Sequence, residues 1–146
     1  MLARDAIDYL IAQLGLSALG TTSDGETEYH FAIPFPFVLT EIDAATLAIF
    51  APLEMPADLP KALVLRRLLE ANLQGVETGP GAMCLDAGGA LGYRDVIDLR
   101  EMTQDHLQLR FVDFSLYYDF WRSEGLRILQ EELGPGDPSG EGFLRL

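Results

Sequence analysis

AMCLDAGGALGYRDVI, residues 82–97, contains two strand-like runs, 82–87 and 90–97, on either side of Gly88-Gly89. A glycine pair between two such runs is a hairpin signal, and strands joined by a hairpin run antiparallel. Working outward in both directions, the neighbouring elements follow the same local logic. Residues 103–133 carry helical spacing. Residues 59–74 form a second helical stretch, with Pro60 suited to a first turn and Gly75 able to end it.

Upstream, 46–51 (TLAIFA) places Leu47, Ile49 and Ala51 on one face, and Asp43-Ala44-Ala45 makes a short turn from 37–42 (FVLTEI). Residues 27–33 (TEYHFAI) read as a strand after the turn signal Ser23-Asp24-Gly25. At the N-terminus, Ile7, Leu10, Ile11 and Leu14 follow the i, i+3, i+4, i+7 spacing of an amphipathic helix stopped by Gly15. The order is α-β-β-β-α-β-β-α. Hairpin-linked strands with helices segregated around them predict an α+β fold, an antiparallel sheet with three helices. We expect one domain over residues 1–133 and a flexible C-terminal tail over 134–146, where GPGDPSGEG dominates.

The chain has 146 residues, 49% hydrophobic, with ten lysines and arginines against 23 acids and a net charge of -13. A chain of that length can bury roughly 68–70% of its unfolded surface. The charge argues against nucleic acid, whose phosphates need a basic patch, and against anionic membrane surfaces. No run approaches the length of a membrane span. Asp5 and Asp8 interrupt what would have to be the apolar core of a signal peptide, and the single Cys84 has no disulfide partner within the chain. These features predict a cytoplasmic protein with neither nucleic-acid binding nor membrane insertion.

The sequence offers little chemistry. His30 and His106 are the only histidines, and neither has the partner spacing of a zinc site. Cys84 lies between Met83 and Leu85 without a base in any recognisable pattern. GVETGPGAMCLDAGG lacks the lysine of a phosphate-binding loop. Asp95, Asp98, Glu101 and Asp105 cluster where the last helix begins, and acids there favour its N-terminal dipole, with Thr103 as a cap. We therefore expect no enzyme activity, no catalytic residues, no metal and no cofactor.

Surplus apolar surface is the stronger signal. On the last helix Leu107, Phe111, Phe114, Tyr118 and Trp121 mark one face, and Leu109, Val112, Leu116 and Phe120 mark a second, roughly opposite. A surface helix needs only one such stripe. HFAIPFPFVLT, residues 30–40, alternates Phe31, Ile33, Phe35 and Phe37 with other side chains, while Pro34 and Pro36 forbid a central strand. This segment is expected to be an apolar edge available to a partner.

Leu68-Leu69-Glu70-Ala71-Asn72-Leu73, followed by a glycine-containing loop and Ala82 through Leu91, resembles the class I type III secretion chaperones, the Tir chaperone (CesT-like) family. Ala51-Pro52-Leu53 through Leu59-Pro60 and the aromatic Trp121 on a long last helix are similar to that family as well. The resemblance covers roughly residues 3 to 130. It implies a homodimer that binds the N-terminal chaperone-binding segment of a secreted effector by strand addition and keeps it soluble for export. The secretion ATPase is a further candidate partner. The resemblance nominates Leu65, Leu68, Leu69, Leu73 and Met83 for the dimer interface. Combined with the apolar edge, it points to Leu10, Leu14, Phe31, Ile33, Phe35 and Phe37 for the effector. The alternatives are a regulatory partner-switching protein of the same fold, controlling secretion gene expression, and a small ligand-binding domain.

Overall fold

A computed structural model describes residues 1–15, 27–73 and 75–134. The expected turn at Ser23-Asp24-Gly25, the expected helical residue Gln74 and the expected tail beyond Gly134 lie outside the described residues. Five antiparallel strands, β1 (Thr27–Phe31), β2 (Phe37–Asp43), β3 (Thr46–Pro52), β4 (Ala82–Leu85) and β5 (Leu91–Asp98), form one sheet in the order β1-β2-β3-β5-β4. Helix α1 (Ala3–Leu14) precedes the sheet and α2 (Lys61–Asn72) connects β3 to β4. The last helical rod runs as α3 (Gln104–Phe120), a π-helical turn (Trp121–Gly125) and α4 (Leu126–Leu133). The α+β class and the element order agree with the sequence reading.

Local chemistry accounts for most boundaries. Gly15 ends α1 with φ 61, a left-handed conformation that costs glycine no Cβ clash. Thr103 caps α3 by accepting a hydrogen bond from the His106 N–H. Between β4 and β5, Asp86 Oδ1 accepts from the backbone N–H groups of Gly88 and Ala90, so the turn is closed by an aspartate as well as by glycines. In β5, Gly92 is packed under the Phe50 ring, where a Cβ would lie 2.2 Å from ring carbons, so any side chain there would have to displace the ring.

The strands alternate faces with period two, and the register makes each face a set of cross-strand rows. Tyr29, Leu39, Ile49 and Asp95 form one row facing the helices, followed by Phe31 with Phe37 and by Ala51 with Tyr93 and Met83. Helices α1 and α3 cover this face, burying Ala6, Ile7 and Leu10 of α1 and Leu107, Phe111, Phe114 and Tyr118 of α3. Trp121 follows them inward at the π turn, where its ring lies 2.4 Å from the place a Gly125 Cβ would take. Its indole N–H donates to the Glu77 carbonyl at 2.8 Å, which ties the rod to the loop after α2. Helix α2 packs at the far edge of the sheet, against β4 and α4.

Candidate functional site

A sheet has two edges, and here they are treated differently. At β4, the Asn72 side chain of α2 reaches the backbone of Met83. Its Nδ2 donates to the Met83 carbonyl at 2.9 Å, and its Oδ1 accepts from the Met83 N–H at 2.8 Å. The amide group thus imitates a neighbouring strand and occupies the groups through which another chain would pair. At the opposite edge, β1 pairs only with β2, and no described strand lies beyond it. One edge is capped at Met83 and the other is open. Asn72→Ala should lower stability by about 1–3 kcal/mol, because it leaves the Met83 N–H and C=O unpaired. Urea denaturation measures that loss, and an unchanged midpoint would show that the edge is not held by this amide.

The apolar segment at 30–40 is not one continuous edge. Strand β1 stops at Phe31 and β2 starts at Phe37, so Pro34 and Pro36 lie in the connection between them, where Ile33-Pro34 is a cis peptide. Phe31 and Phe37 face each other across the hairpin with ring centroids 4.8 Å apart. Phe35 folds under the connection onto Phe37, at 5.3 Å, and Tyr118, at 4.7 Å. The expectation of an exposed phenylalanine row is therefore corrected: Phe31, Phe35 and Phe37 are buried in the chain's own core. Leu10 is buried too, and Leu14 is half-buried at the border of the core. Of the six residues expected to meet a partner, Ile33 alone projects into solvent, at 76% exposure.

The other face of the sheet has no helix over it. Its rows run His30, Val38, Phe50, Arg94 and Ala82, then Glu28, Thr40, Ala48 and Val96. A hollow on this face measures 610 Å³, within the roughly 300–1,000 Å³ common for small-molecule sites. Ile42 and Val96 are about half exposed there, and His30 Nε2 lies 3.3 Å from Glu28 Oε2. Cys84 also lines the hollow, and burial pushes its thiol up, away from the thiolate that a nucleophile needs. Among the described residues no three metal-ligating side chains come together.

The residues nominated for a two-fold contact divide in the same way. Leu68 and Met83 point into the core of this chain, Leu65 is half-buried, and Leu69 and Leu73 are 67% and 80% exposed. The loop that follows is held firmly. Tyr93 donates through its hydroxyl to the Thr78 carbonyl, and Arg67 bridges Glu77 and Glu132 at 2.8 and 2.9 Å. The Arg67 guanidinium keeps the Glu77 carboxyl below its usual range. The sequence reading missed Asn72 as a working residue. The available signal was a lone amide interrupting the leucines at the end of α2.

The result is an antiparallel sheet with one edge capped at Met83, one edge strand unpaired on its outer side, and α1 and α3 on a single face. The chain belongs to the Tir chaperone protein (CesT) family, whose family model matches residues 5–113. It is a chaperone by that membership. No curated protein sequence is matched.

The fold is similar to that of solved structures at low sequence identity. A chain of the HopA1–SchA chaperone–effector complex aligns with TM-score 0.59 and 17% identity, covering 82% of this chain and 91% of that one. A chain of the ExsC–ExsE complex aligns with TM-score 0.60 and 16% identity, covering 81% and 89%. A chain of the heterodimeric ExoU–SpcU complex, from the type III secretion system of Pseudomonas aeruginosa, aligns with TM-score 0.56 and 21% identity, covering 81% and 93%.

Proposed function

We propose that this chaperone serves type III secretion, binding the N-terminal segment of a secreted effector as an added strand on β1 and keeping it soluble for export. The carrying observation is the asymmetry of the sheet: β4 is capped by Asn72, while β1 is left unpaired on its outer side. Strand addition takes its affinity from main-chain hydrogen bonds and its selectivity from alternate side chains. On β1, alternate side chains of the added strand fall beside His30 and Glu28 on the open face, or beside Tyr29 and the rim of the core on the other. Ile33, exposed at the end of the same hairpin, extends the apolar contact. Family membership and the likeness to chaperone–effector complexes support this reading.

The activity is binding alone, with no catalytic step, and its setting is the bacterial cytoplasm. Among the described residues no helix is long and apolar enough to cross a membrane. A net charge of -13 steers segments carrying arginine or lysine toward the chaperone, raising the association rate more than the affinity. Two copies meet through Leu65 and Leu69 of α2 and Leu73 just past its end. Leu68 and Met83 support that surface from inside each protomer.

Co-purification from the native host, followed by native mass spectrometry, should recover one secreted protein on two copies of the chain. In the purified complex, amide exchange should slow across Thr27–Phe31 and stay unchanged across Ala82–Leu85. Protection at β4 without protection at β1 would place the partner elsewhere, and a clean monomer with nothing bound would remove the reading.

A further inference from the structure

Helix α3 carries a second apolar stripe that the fold leaves bare. Leu109, Val112, Leu116 and Phe120 are 62%, 43%, 62% and 39% exposed, on the side away from the buried Leu107, Phe111, Phe114 and Tyr118. Their spacing, i, i+3, i+7 and i+11, makes a straight file roughly 16 Å long at 1.5 Å per residue. At its C-terminal end Leu116, Tyr117 and Phe120 meet Val76 and Glu77 around an apolar pocket of 320 Å³. Val76 is itself 75% exposed, and its loop is pinned by Trp121, Tyr93 and Arg67, so the pocket is preformed.

The charges beside the stripe select what can lie there. Asp105 and Asp113, one turn either side of Leu109, form no ion pair among the described residues. Every arginine of the rod is engaged: Arg110 with Asp95, Arg122 with Asp119, and Arg127 with Glu124 and Glu131. A second copy laid rod to rod on this face would bring its own uncompensated aspartates and no free arginine of the rod. We infer that the outer face of α3 is a docking groove for an amphipathic helix that has leucine-like residues at three- and four-residue spacing and arginine or lysine along its flanks. One large apolar side chain of that helix enters the Val76–Phe120 pocket, in the helix-in-groove mode. The groove is separate from the β1 edge and does not depend on the strand-addition reading.

The test uses the full chain and a fluorescein-labelled synthetic peptide about five helical turns long, with leucines on one face and arginines and lysines beside them. A second peptide replaces the basic residues with glutamate, and a third scrambles the order. The basic amphipathic peptide should bind, with affinity falling as salt rises. Leu109→Asp and Leu116→Asp should each weaken it roughly tenfold or more, and their thermal melts should match wild type because both side chains are exposed. The glutamate and scrambled peptides should not bind. Equal binding of all three peptides, or unchanged binding to both variants, would overturn the assignment. So would sedimentation showing that wild type is a dimer which Leu116→Asp converts to monomer, since a second copy would then own the groove.

Discussion

Replacing Phe37 with alanine is expected to cost about 3–5 kcal/mol of folding stability. Phe37 is 1% exposed and sits at the centre of an aromatic cluster. Its ring centroid lies 4.8 Å from Phe31, 5.3 Å from Phe35 and 5.4 Å from Phe111. Truncation loses the transfer free energy of the ring and leaves a cavity between the hairpin and α3. Each aromatic pair adds roughly 0.5–1.5 kcal/mol beyond burial. A domain has about 5–15 kcal/mol in total. The double change Phe35→Asp plus Phe37→Asp, which places two carboxylates in that cluster, should therefore abolish the folded state. Ile33→Asp, only four positions before Phe37 and open to solvent, should leave the urea midpoint unchanged. If the double aspartate variant instead melts like wild type and loses only its partner, the cluster is a binding surface and the packing described above is not the one in solution.

The contrast between Ile33 and Phe35 marks the limit of what the sequence makes legible. Element types and order follow from periodicity and turn residues, which are local, and they were readable among the described residues. The exception is the single helix expected over 103–133, which is interrupted by the π turn at Trp121–Gly125. Even the open edge was legible in part: β1 is an edge strand, as the prolines nearby suggested. Period two, however, holds only within a strand. Phe31 and Phe37 face the same way because they are paired across a hairpin, and Phe35 turns inward because the connection folds beneath the sheet. The β3–β5 pairing, which joins segments separated by α2 and β4, is a long-range choice that no local pattern announces. Asn72 is illegible for a related reason, since its role is set by the backbone of a strand eleven residues later. The two apolar faces of α3 could be read directly from helical spacing. Which one the sheet covers could not.

Asp95 carries the same lesson to a buried ion pair. By position it joins an acidic cluster at the start of the last helix, but its place in β5 puts it in the core row beside Ile49, 2% exposed. Arg110 of α3 reaches it with a two-pronged contact, Nε to Oδ2 at 2.6 Å and Nη2 to Oδ1 at 2.7 Å. The carboxylate in turn raises the affinity of the guanidinium for its proton. Arg110→Ala leaves that carboxylate buried without a counter-charge and should cost about 3–5 kcal/mol. Arg110→Lys keeps the charge but cannot reproduce the fork, so its loss should be intermediate. Replacing both residues with apolar ones, Asp95→Leu with Arg110→Met, should recover much of the stability, because a buried pair offsets little more than its own desolvation. Urea denaturation of the three variants decides the matter. If the apolar double variant is as unstable as Arg110→Ala, the fork does more than neutralise a buried acid and is needed to seat α3 on the sheet. In that case the same variant should also lose the amphipathic peptide, because Leu109 and Asp113 flank Arg110 on the rod that carries the groove.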